Sequence, residues 1–175
     1  MGLLQRDLLF SLDAQLFEER GMSDQVEALK ARKDTIDEAS LWRTFRALVN
    51  TRPPLPAAES FLREQDQLLQ SMIAQAGVTT VDDTIAAPHD PAIRLWRGDI
   101  TTLAADGIVN AANSQMLGCW QPGHHCIDNA IHTFAACSCA SNARASWKSK
   151  DAKSRRGRRK SRPHTTCPRD SSCTP

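Results

Sequence analysis

The chain has 175 residues, with 22 Lys and Arg against 20 Asp and Glu and a hydrophobic content of 41%. That is enough for one ordinary domain, or a small one with an extension, and no apolar run approaches the roughly 20 residues of a membrane span. The near-neutral balance hides two unlike regions. Residues 1–136 carry 11 basic against 18 acidic side chains, a net of −7, and residues 137–175 carry 11 against 2, a net of +9, so the basic character lies wholly in the tail.

In MGLLQRDLLFSL, Arg6 and Asp7 interrupt any signal-peptide core. Arg6 also stands where an N-myristoylation signal has Ser or Thr. The chain is expected in the cytoplasm, where paired cysteines hold metal more often than they form disulfides. Leu4, Leu8, Leu12 and Leu16, with Phe17 beside them, predict an amphipathic helix over residues 3–20. A second helix is expected to start at Ser23 or Asp24 and to run through Val26, Leu29 and Ile36. Leu41, Trp42, Phe45, Leu48 and Val49 mark a third, stopped by Pro53 and Pro54. Phe61, Leu68, Leu69, Met72 and Ile73 mark a fourth over 58–76, with Gly77 as its stop.

The pattern then changes. AIRLW alternates as a strand does, and a second strand is expected at Gly107 to Asn110. Strands separated by turns and helical segments indicate an α/β layer. CIDNAIHTFA returns to helical spacing, with Ile127, Ile131 and Phe134 on one side.

Between these elements, CWQPGHHC places Cys119, His124 and Cys126 on a short loop shaped by Pro122 and Gly123. Two thiolates and an imidazole suit Zn²⁺, with Zn–S near 2.3 Å and Zn–N about 2.0–2.1 Å. Three local ligands leave a fourth position for water, substrate or a remote residue. His125 would point elsewhere on an extended loop, and His132 reads as a packed helical histidine. Upstream, Asp99 follows Gly98 where a strand ends, and carboxylates at such strand ends can meet a nucleotide. The plain alternatives are incidental thiols, a strand-ending turn at Asp99 and backbone caps at Asn110 and Asn113.

Taken together, GDIT, VNAAN and GCxxPxHxCIDNxIHT resemble the opening of a macrodomain, specifically its zinc-containing branch. The helical stretch, including LWRTFRALVNTRPP, is similar to that branch too. The resemblance covers roughly residues 1–135 and implies an α/β fold: a helical extension over 1–85 and, over 86–135, the first part of a three-layer α/β/α macrodomain. It implies hydrolysis of ADP-ribose from modified protein side chains, with ADP-ribose or a mono-ADP-ribosylated protein as partner. Asp99 would accept from the adenine amine beside the Ile100 amide, and Asn113 would orient the distal ribose. Cys119, His124 and Cys126 would hold Zn²⁺ near that ribose and, with Asn113, form the catalytic set. Asp128 would be an outer partner of the ligands or a helix-start carboxylate. An ADP-ribose reader without catalysis is the nearest alternative.

After Ala135 the resemblance stops. Residues 136–175 contain no Leu, Ile or Val, and they hold four of the six cysteines among dense Arg and Ser. A zinc-stabilised nucleic-acid binder with a basic arm is one reading. A frameshift explains more. Loss of one G near Ala135 and Ala136 turns GCG GGC CTG into GCG GCC TGC. One consistent choice of wobble bases in the original phase gives GLQLRLECASIMEKQG, an amphipathic helix, and later RFVLHT, a buried-strand pattern. The tail therefore receives no site, nucleic acid is not the expected partner, and the 175-residue chain is expected to be a truncated, inactive fragment.

Overall fold

Leucine and phenylalanine stripes decide the first half of the molecule. The computed structural model describes residues 3–113 and 117–134. Four helices come first: α1 (Leu3–Glu19), α2 (Ser23–Ala31), α3 (Glu38–Asn50) and α4 (Glu59–Ala76). They enclose one core in which Leu9, Leu12 and Leu16 of α1 meet Leu41 and Phe45 of α3 and Leu68 of α4. Removing these side chains from water is the main favourable contribution to the fold of this region.

The buried face of α1 is rotated from the one its leucines predict. Leu4 is 57% exposed, whereas Gln5 and Asp13 are almost fully buried. Gln5, Leu9, Leu12, Asp13 and Leu16 follow the 3.6-residue period as well as the leucine series does. Packing on both α3 and α4 needs the wider face, so it takes the polar residues inside.

The second helix is shorter than expected, stopping at Ala31 rather than reaching Ile36. The Asp37 side chain accepts from the Ser40 amide at 2.8 Å and caps α3, which obliges the chain to leave helical geometry before it. Ile36 still packs against the core from its turn. Helix α3 stops at Asn50 as the prolines require. Arg52, 7% exposed, then grips Glu19 through two bonds of 2.6 and 2.7 Å and donates to the Leu55 carbonyl at 2.8 Å. That bidentate pair fixes the end of α3 to the end of α1. Gly77, at φ +81°, ends α4 where a side chain would be strained.

A 3-10 turn at Val81–Asp83 leads into strand β1 (Ile85–Ala87), which pairs antiparallel with β2 (Asp90–Leu95). The AIRLW strand is thus present, starting slightly earlier than the alternation indicates. A second 3-10 turn at Ile100–Thr102 follows, and Thr79 bridges to Leu103 in parallel. The expected strand at Gly107 to Asn110 does not form: its backbone is irregular and Val109 is 90% exposed. A strand of an α/β layer needs a neighbour for its amides and carbonyls, and none lies beside it among the described residues. Helix α5 (Ile127–Phe134) closes the described chain. The architecture is therefore a helical region followed by a small α/β part with a two-stranded sheet among the described residues. Residues 136–175, read above as out of frame, lie outside the described residues.

Helix α5 docks on α3 rather than on the sheet. Trp42 stacks on Phe45 at 5.6 Å and meets the Phe134 ring at 5.9 Å. Beside the rings runs a polar seam. Asn50 Nδ2 donates to Thr133 Oγ1 at 2.7 Å, and Arg46 Nη2 donates to Asn129 Oδ1 at 2.8 Å.

Candidate metal centre

Two glycines shape the loop between the VNAAN stretch and α5. Gly118 has φ +92°, and a Cβ there would lie 3.0 Å from the His132 ring. Gly123, at φ +67°, reverses the chain after Pro122, and the His124 amide donates back to the Gln121 carbonyl at 3.2 Å. The reversal gathers Cys119, His124 and Cys126 so that their ligand atoms all lie within 4.8 Å of one another. Cys119 Sγ and His124 Nδ1 are 3.3 Å apart. Ligands tetrahedral about zinc, with bonds of about 2.0–2.3 Å, stand roughly 3.5–3.8 Å from each other, so the donors suit that ion in type, and the Cys119–His124 pair stands near that spacing. His124 is exposed and the two cysteines are half-buried, which leaves the cluster open on one side. His125 is not part of it.

The surroundings of Cys119 act on its thiol in both directions. The Gln121 amide, donating to Cys119, draws its thiol down. Desolvation and the nearby Cys126 and Asp128 outweigh that bond, so the Cys119 thiol is raised above its ordinary value. A divalent cation held by Cys119, His124 and Cys126 would reverse the balance and favour the thiolates. On the far side, the Asn129 amide at the start of α5 donates to Cys126 Sγ at 3.4 Å.

His132 is packed, as its helical position indicates. It is 8% exposed, and its Nδ1 lies 3.2 Å from Asp128 Oδ1 and 2.9 Å from the Asp128 carbonyl. Asp128 does more than start a helix: its buried carboxylate also accepts from Asn110 Nδ2 at 2.7 Å. Asn113 Nδ2 donates to the Gly118 carbonyl at 2.8 Å. These two asparagines bind the VNAAN stretch to the helix on one side of the cluster and to the turn entering it on the other. Asp99 uses Oδ1 to accept from the amide and hydroxyl of Thr101, at 2.9 and 2.7 Å. It thereby starts the 3-10 turn containing Ile100 and remains exposed. Missing from the sequence reading are Gln121, Asn129 and Arg46, whose roles depend on the loop's turn and on the docking of α3. Asn129 stands three residues after Cys126, the one spacing that could have drawn attention to it.

The cluster is a candidate metal site of two thiols and one imidazole between the VNAAN stretch and α5. Comparison with known proteins then narrows the class. The chain is 54% identical over 93 residues to a protein-ADP-ribose hydrolase of Treponema medium, covering 52% of this chain and 36% of that protein. It is 50% identical over 95 residues to a protein-ADP-ribose hydrolase of Staphylococcus aureus strain COL, covering 54% of this chain and 35% of that one. A more distant relative is a probable bifunctional ADP-ribose hydrolase/ADP-ribosyltransferase of Fusarium oxysporum f. sp. cubense, 37% identical over 122 residues, or 64% of this chain and 20% of the relative. No family model matches the chain. The resemblance to protein-ADP-ribose hydrolases is borne out over about half of the chain, which spans about a third of the length of the two bacterial relatives.

Proposed function

We propose that the chain comes from a zinc-dependent macrodomain hydrolase that removes ADP-ribose from modified protein side chains in the cytoplasm. The observation that carries this reading is the convergence of Cys119, His124 and Cys126 within 4.8 Å, tied through Gly118 to Asn113. The activity named for the relatives supports it. Asp99 keeps Oδ2 for an adenine amine, with the Ile100 amide next in the chain. Asn113, anchored by its own amide to the Gly118 carbonyl, orients the distal ribose beside the cluster. A zinc ion bound by the three ligands would act as a Lewis acid, stabilising negative charge that develops at the scissile linkage. The protein's own part is to hold that ribose against the open side of the cluster. Among the described residues no helix is long and apolar enough to cross a membrane.

In this proposal residues 136–175 are out of frame and the 175-residue chain is inactive by itself. Ile85, Ile93 and Leu95 of the hairpin are 73%, 56% and 60% exposed, so the sheet is left uncovered on the described residues. Resequencing the coding DNA from the Phe134 codon onward is expected to find one further base, after which an amphipathic helix and a buried strand are encoded. Confirmation of the frame as written would instead favour the basic arm as a phosphate-binding segment, with affinity falling steeply as salt rises.

A further inference from the structure

The cluster is supported from outside its own loop. Gln121 is the pivot of CWQPGHHC: it stands two residues after Cys119, and its carbonyl accepts from the His124 amide at 3.2 Å. The same carbonyl accepts from Asn129 Nδ2, a long bond of 3.4 Å, while the Asn129 backbone amide donates to Cys126 Sγ. One buried residue, Asn129, fully shielded from solvent, therefore bears on the placement of Cys126 directly and of His124 through the Gln121 carbonyl.

What fixes Asn129 is Arg46. A guanidinium can only donate and a carbonyl can only accept, so Oδ1 must face Arg46 and Nδ2 must face Gln121. The Arg46 Nη2 bond of 2.8 Å thus sets which end of the amide faces the loop. The same stretch of α3 holds the following turn of α5, where Asn50 Nδ2 donates to Thr133 Oγ1 and Thr133 Oγ1 donates to the Asn129 carbonyl. Arg46 forms no ion pair among the described residues, and its only side-chain bond there is to Asn129. Half-buried, its guanidinium makes a charge-assisted bond to Asn129, the stronger kind of hydrogen bond and one with a fixed direction.

We propose that Arg46, in the N-terminal helical region, is a positioning residue for the metal loop, acting through Asn129 on the Gln121 carbonyl. The helical region then serves the site directly, by holding the ligands close to binding geometry before an ion arrives. The proposal rests on the metal reading for its consequence but not for its geometry, so its test has a metal-free arm.

In the full chain, amide hydrogen exchange across residues 119–126 would be compared for the parent, Arg46→Ala, Arg46→Lys and Arg52→Ala without metal. Zn²⁺ affinity would then be measured by competition with a chromogenic chelator. Arg52→Ala breaks the Glu19 pair inside the helical region and controls for simple destabilisation. Arg46→Ala is expected to speed exchange in the loop about tenfold and to weaken Zn²⁺ binding by about 10-fold to 100-fold, the range for loss of an outer partner. Arg46→Lys is expected to fall between it and the parent, and Arg52→Ala to leave both readouts at the parent's values. Unchanged loop exchange in Arg46→Ala overturns the proposal, as does an equal effect in Arg52→Ala. Faster loop exchange in a protein that binds no Zn²⁺ supports the positioning role while removing the zinc reading.

Discussion

Replacing Cys119 by alanine in a frame-restored protein is expected to abolish stoichiometric zinc and to lower ADP-ribose release on the order of 100-fold or more. Loss of an outer partner already costs about 10-fold to 100-fold in metal affinity or activity, so loss of a direct ligand belongs at or beyond the upper end. Cys119 Sγ stands 3.3 Å from His124 Nδ1, and only two of the three local donors would be left. Affinity for ADP-ribose is expected to survive, because Asp99, Ile100 and Asn113 are untouched. Isothermal titration alongside a release assay separates the two quantities. Undiminished release in the variant would make the metal structural, and release absent from the parent but binding retained would favour a reader.

The second large effect concerns stability. Asp13 is fully buried among the core leucines, and neither carboxylate oxygen has a hydrogen-bond partner among the described residues. Burial pushes its pKa from 3.8 up to about 8. Below pH 3.8 the group is protonated whether the chain is folded or not, and it contributes no pH dependence. As pH rises from there, the unfolded chain releases a proton that the folded chain keeps. Stability therefore falls through this window by about 1.4 kcal/mol per pH unit and levels off above pH 8. At pH 7 the accumulated loss is about 4 kcal/mol. Asp13→Asn keeps the shape and removes the ionisation. It is expected to be more stable than the parent by up to about that amount at pH 7, and by under about 1 kcal/mol near pH 4. Urea unfolding at pH 4, 6 and 8 gives the comparison, and parallel curves for the two proteins would contradict it.

That carboxylate also shows where sequence reading stops. The leucine series in α1 correctly identifies a helix, but Leu4 and Asp13 exchange the environments their chemistry suggests, because α1 must serve two neighbouring helices at once. The cap at Asp37 is local and legible, yet its effect, ending α2 five residues early, emerges only when both helices are considered together. The strand anticipated at Gly107 to Asn110 has suitable residues; what it lacks among the described residues is a neighbour in register, and a neighbour is not a local property.

The candidate site was legible where spacing alone carries the chemistry. Cys119, His124 and Cys126 need only a turn at Pro122 and Gly123 to meet, and the turn forms. His132 was read as packed from its helical position and is buried against Asp128. Asp99 starts a turn and Asn113 bonds a backbone carbonyl, as their plain readings expect, whereas Asn110 donates to the Asp128 carboxylate instead of capping backbone. Arg46 lies 83 residues from its partner Asn129. Its part depends on the packing of Trp42 against Phe134 and has no signature in either stretch of sequence.

The most direct test of the account is metal content and activity measured on one preparation. Frame-restored protein would be purified without added metal. Zinc per chain would be counted, and ADP-ribose release from mono-ADP-ribosylated protein followed before chelation, after it and after zinc is returned. About one zinc per chain is expected, as three ligands around one ion require, with release that stops on chelation and resumes with zinc. Release at the full rate from protein holding no zinc would contradict it.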